Sequence, residues 1–318
     1  MTSSKRVLRI GTRESKLARL QTDMVVSALQ ARLPDAKFEI IAQSTSGDKV
    51  LNKPIAELGG TGVFVKELEE ALLADQVDFV VHSLKDLPTT IPDGLILAAT
   101  LLRDDPRDVF VSLDKASFRD MPAGSRIATS SRRRSAQLSA IRCDVVFVDV
   151  RGNVPTRLRK LEEGHCDGMV LAAAGLIRLG YADRISEFFE ADDSVPAAGQ
   201  GALGVECRSA DKEVRDLLAL INDAGVAAET GAERAFLNRL GGGCSVPIGA
   251  LGRLTDDGNL TLHACVADGK RLAKGSVTGS PAEADKMGIS LAEQLLAEGA
   301  DKILETVLQR PQQPISPP

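Results

Sequence analysis

Short β-branched runs alternate with helical stretches along almost all of the 318 residues, and this alternation confines the chain to the α/β class. Val7 to Gly11 reads as a strand, and Thr12 is placed to cap a helix whose apolar positions Leu17, Leu20, Met24, Ala28 and Leu29 recur at helical spacing. Lys37 to Gln43 and Asp78 to His82 read as further strands, with a helix over Val63 to Ala74 entered through Gly59-Gly60-Thr61-Gly62. Right-handed strand–helix–strand connections predict a parallel sheet from these pieces. The pattern breaks at Arg103 to Arg107 and again at Val195 to Gly201. Between the breaks lie strands near 108–112, 126–129, 145–150 and 168–172 and helices near 131–141, 155–163 and 174–179; the strand Ala202 to Glu206 follows. Two crossings of this kind predict an inserted domain tied to the first by two hinge strands, with a cleft between the two.

From about residue 224 the pattern changes. A helix over Glu229 to Leu240 leads through a glycine-rich loop to hairpin strands at 248–254, 260–268 and 271–279, turned by Asp257-Gly258 and Asp268-Gly269, before a helix over about 281–298. The expected organisation is therefore a first domain of residues 1–102 and 200–222, a second of 103–199, and a small α+β third domain of 223–309 with an antiparallel sheet. The Pro/Gln-rich tail, 310–318, is expected to be disordered.

Charge points to the ligand. Eight arginines (126, 132, 133, 134, 142, 151, 157 and 159) crowd one stretch of a chain whose net charge is −5, opposed there only by Asp144 and Asp149. Arginine pairs with carboxylate or phosphate through a planar fork that never titrates, so the stretch suits a multiply anionic substrate. A solvated basic face is the other reading of such a run. The order of residues favours a site, because Thr129-Ser130-Ser131 with Arg132 to Arg134, and Arg151-Gly152-Asn153, each follow the C-terminal end of a predicted strand. Nucleic acid is disfavoured by the acidic balance and by the lack of Trp, with Tyr181 the one tyrosine. No apolar run approaches the ~20 residues of a membrane span, and Met1 to Arg6 carries no apolar leader, so a cytoplasmic monomer is expected.

Three further segments could carry chemistry. His82-Ser83-Leu84-Lys85-Asp86 lies at a strand's C-terminal edge, where an extended backbone would send Lys85 and Asp86 to opposite sides. A carboxylate there could steady a cation or move a proton, or Asp86 and Pro88 could simply close a turn. His82 reads as a packed or hydrogen-bonded residue. Arg13 and Ser15 sit at a strand-to-helix junction suited to an anion. The five cysteines are scattered with no C-x-x-C, which argues against disulfides and zinc. Cys244 stands apart from Cys207 and Cys265 because Gly241-Gly242-Gly243 precede it and Pro247 follows, a setting open to either a functional or a structural thiol.

Taken in order, Arg9 to Ser15, Val81 to Pro88, Asp104 to Asp108, Thr129 to Arg134, Arg151 to Asn153, Ala173 to Arg178, Pro196 to Gly201 and Gly242 to Cys244 with Pro247 make the chain resemble the porphobilinogen deaminase (hydroxymethylbilane synthase) family over nearly its full length. The resemblance implies three domains, the first two like periplasmic binding proteins. It implies that four porphobilinogen molecules are condensed with loss of ammonia to the linear hydroxymethylbilane, on a dipyrromethane cofactor held by a thioether to Cys244. By the same resemblance Asp86 is the catalytic residue that stabilises the azafulvenium cation. Lys85, Ser83, Thr129, Ser130, Ser131, Arg133, Arg134, Arg151 and Gly152 match cofactor contacts, and Arg13, Ser15, Arg157, Arg178 and Gln200 match substrate contacts. No metal is implied. The chain departs from many relatives at Glu57 and Thr61, where they carry lysines. A hinged receptor for a multivalent anion, without catalysis, and a nucleic-acid binder are the rival readings.

Overall fold

The computed structural model describes residues 6–45, 62, 65–242 and 246–309. The chain divides into two compact units, Met1–Arg103 with Ala202–Ala227 and Asp104–Gly201 with Ala228–Pro318. In chain order the first unit supplies β1 (Val7–Arg13), α1 (Lys16–Arg32), β2 (Lys37–Gln43), α2 (Lys66–Leu73), β3 (Phe79–Ser83) and β4 (Leu95–Leu101). The second follows with β5 (Asp108–Ser112), β6 (Arg126–Ala128), α3 (Arg132–Ser139), β7 (Val146–Val148), α4 (Val154–Glu162), β8 (Gly168–Ala172), α5 (Ala173–Arg178) and β9 (Glu187–Phe188). The chain returns to the first unit as β10 (Leu203–Arg208) and α6 (Lys212–Ala219), and α7 (Ala224–Arg239) leads out of it. The second unit ends with β11 (Ile248–Leu254), β12 (Leu260–Ala267), β13 (Leu272–Gly279), α8 (Ala284–Leu295) and α9 (Asp301–Gln309).

The first sheet has the order β2-β1-β3-β10-β4. β1 runs parallel to β2 and β3, as expected, but β10 is antiparallel to both β3 and β4. The sheet is therefore mixed. Local periodicity encodes a strand but not its direction, and the direction of β10 is set by a chain returning from a hundred residues away. One face packs Leu8, Ile10, Phe79, Val81, Leu203 and Val205 against Val25 and Leu29 of α1 and Val214 and Leu218 of α6. The other packs Val80 and Leu95 against Leu68 and Leu72 of α2. Each such side chain contributes about 1.5–3 kcal/mol when fully buried.

Two local expectations are corrected here. Ser15, not Thr12, caps α1 by accepting the Ala18 N–H at 3.2 Å. Thr12 lies inside β1, buried, and its hydroxyl donates to the Ala18 carbonyl while accepting from Thr22 Oγ1. After Ser83 the chain is not extended, because Leu84–Asp86 forms a 3₁₀ turn. Lys85 and Asp86 are thus neighbours on a tight turn rather than alternating strand residues.

The second unit holds two sheets. One, ordered β7-β6-β8-β5-β9, pairs β6 in parallel with β7 and β8 and sets β5 antiparallel to β8 and β9. Gly168 leaves room in it for the Phe110 ring, since a Cβ there would lie 2.2 Å from Phe110 Cζ. Phe110 in turn stacks edge-on against Phe118, centroids 5.6 Å apart. Gly168→Ala should therefore destabilise the unit by about 1–3 kcal/mol through overpacking. Urea denaturation checks this, and an unchanged midpoint would contradict it.

The other sheet is the antiparallel meander β11-β12-β13, covered by Phe236 of α7, Leu291 and Leu295 of α8, and Ile303 and Leu304 of α9. Its expected glycine turns are present, Gly258 and Gly269 having φ of 82° and 87°. The helix expected over 281–298 is α8, and an unexpected further helix, α9, follows it across a kink at Gly299 with φ 103°. The tail 310–318 lies outside the described residues.

Candidate active site

The expected site residues fall into two groups, one in each unit. In the first unit Arg13, Ser15, Ser83, Lys85 and Asp86 stand at the C-terminal ends of β1 and β3. Parallel pairing brings these two ends together. The turn after β3 is fixed by Leu84, which is fully buried against Val65, Leu87 and Ala202 and donates its N–H to the Ala202 carbonyl at 3.0 Å. Anchoring Leu84 leaves its neighbours Lys85 and Asp86 partly exposed. Arg13 Nη1 lies 4.0 Å from Asp86 Oδ2, so a cation flanks the carboxylate without a tight hydrogen bond. Ser83 is positioned by Gln21 of α1, whose Nε2 donates to Ser83 Oγ at 2.9 Å. Gln21 was not singled out in the sequence. A glutamine on the buried stripe of α1 is the signal that could have found it.

In the second unit the basic residues differ sharply in their surroundings. Arg133 and Arg134 are buried and converge on Asp108 at the start of β5. Arg133 also donates to the Val195 carbonyl at 2.6 Å, and Arg134 to the Val170 carbonyl at 3.2 Å. Gln200 donates to Asp108 Oδ1 at 2.9 Å and to the Pro106 carbonyl at 2.7 Å, and Ser194 Oγ adds a further bond to Asp108. Burial alone would raise the Asp108 pKa, but the two guanidinium groups hold it well below the usual carboxylate range. Arg178 is bound by Asp104 at 2.6 Å and the Gly201 carbonyl at 2.7 Å, and burial lowers its pKa. Arg133, Arg134, Arg178 and Gln200 thus all have protein partners that brace the segments 104–108 and 194–201. Asp104 and Asp108 were not recognised from sequence as those partners. The signal was an acid opening an otherwise apolar strand, which alternation must bury.

Gly201, inside that braced region, has φ +89°, and a Cβ would fall 2.4 Å from the Asp104 carbonyl oxygen. Gly201→Ala is expected to cost about 1–3 kcal/mol from backbone strain alone, with the clash added. A thermal midpoint equal to the wild type would contradict that.

Arg151 and Arg157 differ from the braced set. Both project from the loop and first turns of α4, after β7. Arg157 Nε donates to the Gly152 carbonyl at 2.8 Å, which Gly152 presents at φ +121°. Arg151 Nε lies 3.4 Å from Asp149 Oδ2, and Ser130 Oγ also donates to Asp149. Burial drives the Arg157 pKa down to about 10, the like charges of Arg134 and Arg151 push the same way, and Asp149 opposes them. Burial is the larger cause, and the neighbouring guanidinium groups add to it. Ser131 caps α3 by accepting the Arg134 N–H at 3.4 Å, and buried Thr129 accepts the Ser131 N–H at 3.2 Å. Cys244 lies outside the described residues, as do Glu57 and Thr61. Burial raises the thiols of Cys166, Cys207 and Cys265 to about 11, which keeps those three inert. Among the described residues no cluster of His, Cys, Asp and Glu could hold a metal ion.

Comparison with known proteins agrees with this chemistry. Residues 8–216 match the family model described as porphobilinogen deaminase, dipyromethane cofactor binding domain, and residues 227–297 match porphobilinogen deaminase, C-terminal domain. The porphobilinogen deaminase of Trichlorobacter lovleyi is 50% identical over 305 residues, covering 95% of this chain and 97% of that one. The porphobilinogen deaminase of Geobacter metallireducens is 48% identical over 305 residues, covering 95% of each. Among solved structures, the methionine binding protein MetQ aligns with 67% of this chain and 89% of its own at 12% identity and a TM-score of 0.43, a likeness on which no argument is built.

Proposed function

The chain belongs to the porphobilinogen deaminase family, and on that premise we propose how its own residues serve the condensation of four porphobilinogen molecules into hydroxymethylbilane with loss of ammonia. The reading is carried by the clustering of Arg151 and Arg157 beside Ser130 and Gly152, past the C-terminal end of β7 and in the first turns of α4. Porphobilinogen and every product of its condensation bear acetate and propionate groups. Each carboxylate taken out of water costs several kcal/mol unless a charge-assisted partner meets it.

The same cluster fits a dipyrromethane, whose side chains are of this kind. Bound through a thioether to Cys244, that group supplies the primer pyrrole to which substrate is joined. Arg151 and Arg157, with Thr129, Ser130 and Ser131, would hold its carboxylates. Arg133, Arg134, Arg178 and Gln200 act mainly by bracing the segments that carry these contacts, as their protein partners suggest. Asp86 faces the positive charge that develops on the reacting pyrrole as ammonia leaves. Its partial exposure and the 4.0 Å gap to Arg13 leave the carboxylate accessible to a reacting group. Arg13, with Ser15 beside it, would receive a carboxylate of the incoming monomer.

The second unit reads as two domains, 103–199 and 223–309, supported by its two separate sheets; the first, 1–102 with 200–222, accounts for the remainder. A monomer is favoured because the exposed large apolar side chains among the described residues, such as Leu73, Leu113 and Ile289, come singly from different segments of the chain. No helix among the described residues is long and apolar enough to cross a membrane. Free thiols at Cys143, Cys166, Cys207 and Cys265 support a reducing cytoplasm.

Arg151→Leu and Arg157→Leu should each lower turnover on the order of tenfold or more, because each removes a charge-assisted partner of a substrate carboxylate. Steady-state rates with porphobilinogen check this. Unchanged rates would return both residues to the solvated-face reading.

A further inference from the structure

Behind the Asp86 turn lies a buried ionisable group that the reaction as described does not use. α2 covers the sheet face that bears Val80, and alternation puts His82 on the same face. Glu206 pairs with Val80 in register and so shares that face. His82 Nε2 and Glu206 Oε2 are 3.2 Å apart, with the side chains almost wholly enclosed. Glu206 Oε1 and Glu69 Oε1 are both buried with no hydrogen-bond partner among the described residues. Buried polar atoms are seldom left so, and two on elements packed against each other, α2 and β10, call for an explanation.

The charged groups on the described elements packed around the His82–Glu206 pair can be enumerated. α2 packs on β1, β3, β4 and β10. β4 has no titratable side chain, and Cys207 of β10 lies on the opposite face with Val205. Arg9 of β1 is bound to Asp75 and Asp78, and Arg13 faces Asp86. Arg208 of β10 is bound to the Leu72 and Val77 carbonyls and to Asp78 and Asp211. On α2 itself, Lys66 pairs with Glu70 at the surface, and Glu67 has contacts of its own. Among the described residues of these elements, His82 is the basic side chain that meets Glu206. Burial pushes the Glu69 carboxyl up to about 7, Glu206 pushes the same way, and His82 opposes them.

We propose that Glu69 is a positioning residue: holding a proton, it completes the Glu206–His82 pair behind the Ser83–Asp86 turn, and that turn keeps its working geometry only while the proton is there. The proposal rests on Asp86 being the reacting carboxylate. A protonated Glu69 offers a donor to a pocket of orphaned acceptors. An ionised Glu69 instead adds a second desolvated negative charge beneath β3, one residue from Ser83 and four from Asp86 along the strand from His82. Movement of α2 or of the β3 end would relieve it.

The linkage has a definite sign. The folded value of about 7 stands above the ~4.3 of a free glutamate, so the native fold keeps a proton that the unfolded chain releases. The contribution to stability is complete below about 4.3 and declines as pH rises, until it is gone above about 7.

The test compares the holoenzyme with Glu69→Gln, which keeps the size and neutrality of the protonated acid. Wild-type kcat should fall severalfold as pH rises from about 6 to about 8.5, with KM little changed, and the thermal midpoint should fall over the same range. Glu69→Gln should match the wild type within about twofold at the lower pH and lose neither kcat nor midpoint at the higher. A variant kcat profile that superimposes on the wild type overturns the proposal. Should the variant not fold, the unaltered protein decides: a protonated-carboxyl infrared band must disappear in step with kcat, and a missing band, or a kcat that ignores it, overturns the positioning role. Failure of the functional reading would show separately, as no product at any pH, with the midpoint and infrared measurements unaffected.

Discussion

Asp86→Asn is expected to lower kcat on the order of a hundredfold or more while leaving the thermal midpoint close to that of the wild type. The substitution keeps the volume of the side chain and removes its charge. The turn is held by Leu84, through its burial and its bond to the Ala202 carbonyl, and not by the Asp86 carboxylate. Asp86 is a third exposed, and Arg13 approaches it no closer than 4.0 Å. Little structure depends on it, so the loss should appear in the chemical step. Single-turnover rates and a melting curve on one preparation separate the two effects. A near-normal rate would remove Asp86 from the mechanism; a collapsed midpoint would make it structural.

The opposite outcome is expected at Asp108. Asp108→Asn should destabilise the second unit by about 3–5 kcal/mol, because breaking a buried ion pair leaves uncompensated charge behind. Here two guanidinium groups, Arg133 and Arg134, would lose the same partner. Asp108 has a folded pKa held far below its unfolded value, so its stabilisation is present above about pH 3.9 and fades only as pH falls through the lower folded value. The wild type should accordingly keep this contribution in mild acid. Urea denaturation at neutral pH measures the difference, and a loss below about 1 kcal/mol would show that Gln200, Ser194 and backbone carbonyls suffice to hold the arginines.

These two residues show what a sequence can and cannot disclose. β2, β5, β8 and β11 coincide with the runs expected of them, because a short β-branched segment between breakers has one plausible local conformation. The direction of β10 and the existence of α9 were not legible, since both depend on distant packing. For the site, a carboxylate at a strand edge and a run of arginines were visible as chemistry. Which arginines were braced by buried carboxylates was not, because that depends on Asp104 and Asp108 meeting them across the fold. The turn that carries Asp86 was misjudged for a similar reason: it bends because Leu84 finds a pocket made by Val65 and Ala202.

The central claim is that cationic side chains hold an acidic pyrrole chain while one carboxylate steadies the charge at its growing end. Incubating the purified protein with porphobilinogen and quantifying ammonia against linear tetrapyrrole tests it most directly. The account predicts four ammonia released for each hydroxymethylbilane formed. Porphobilinogen left intact by folded protein would contradict it.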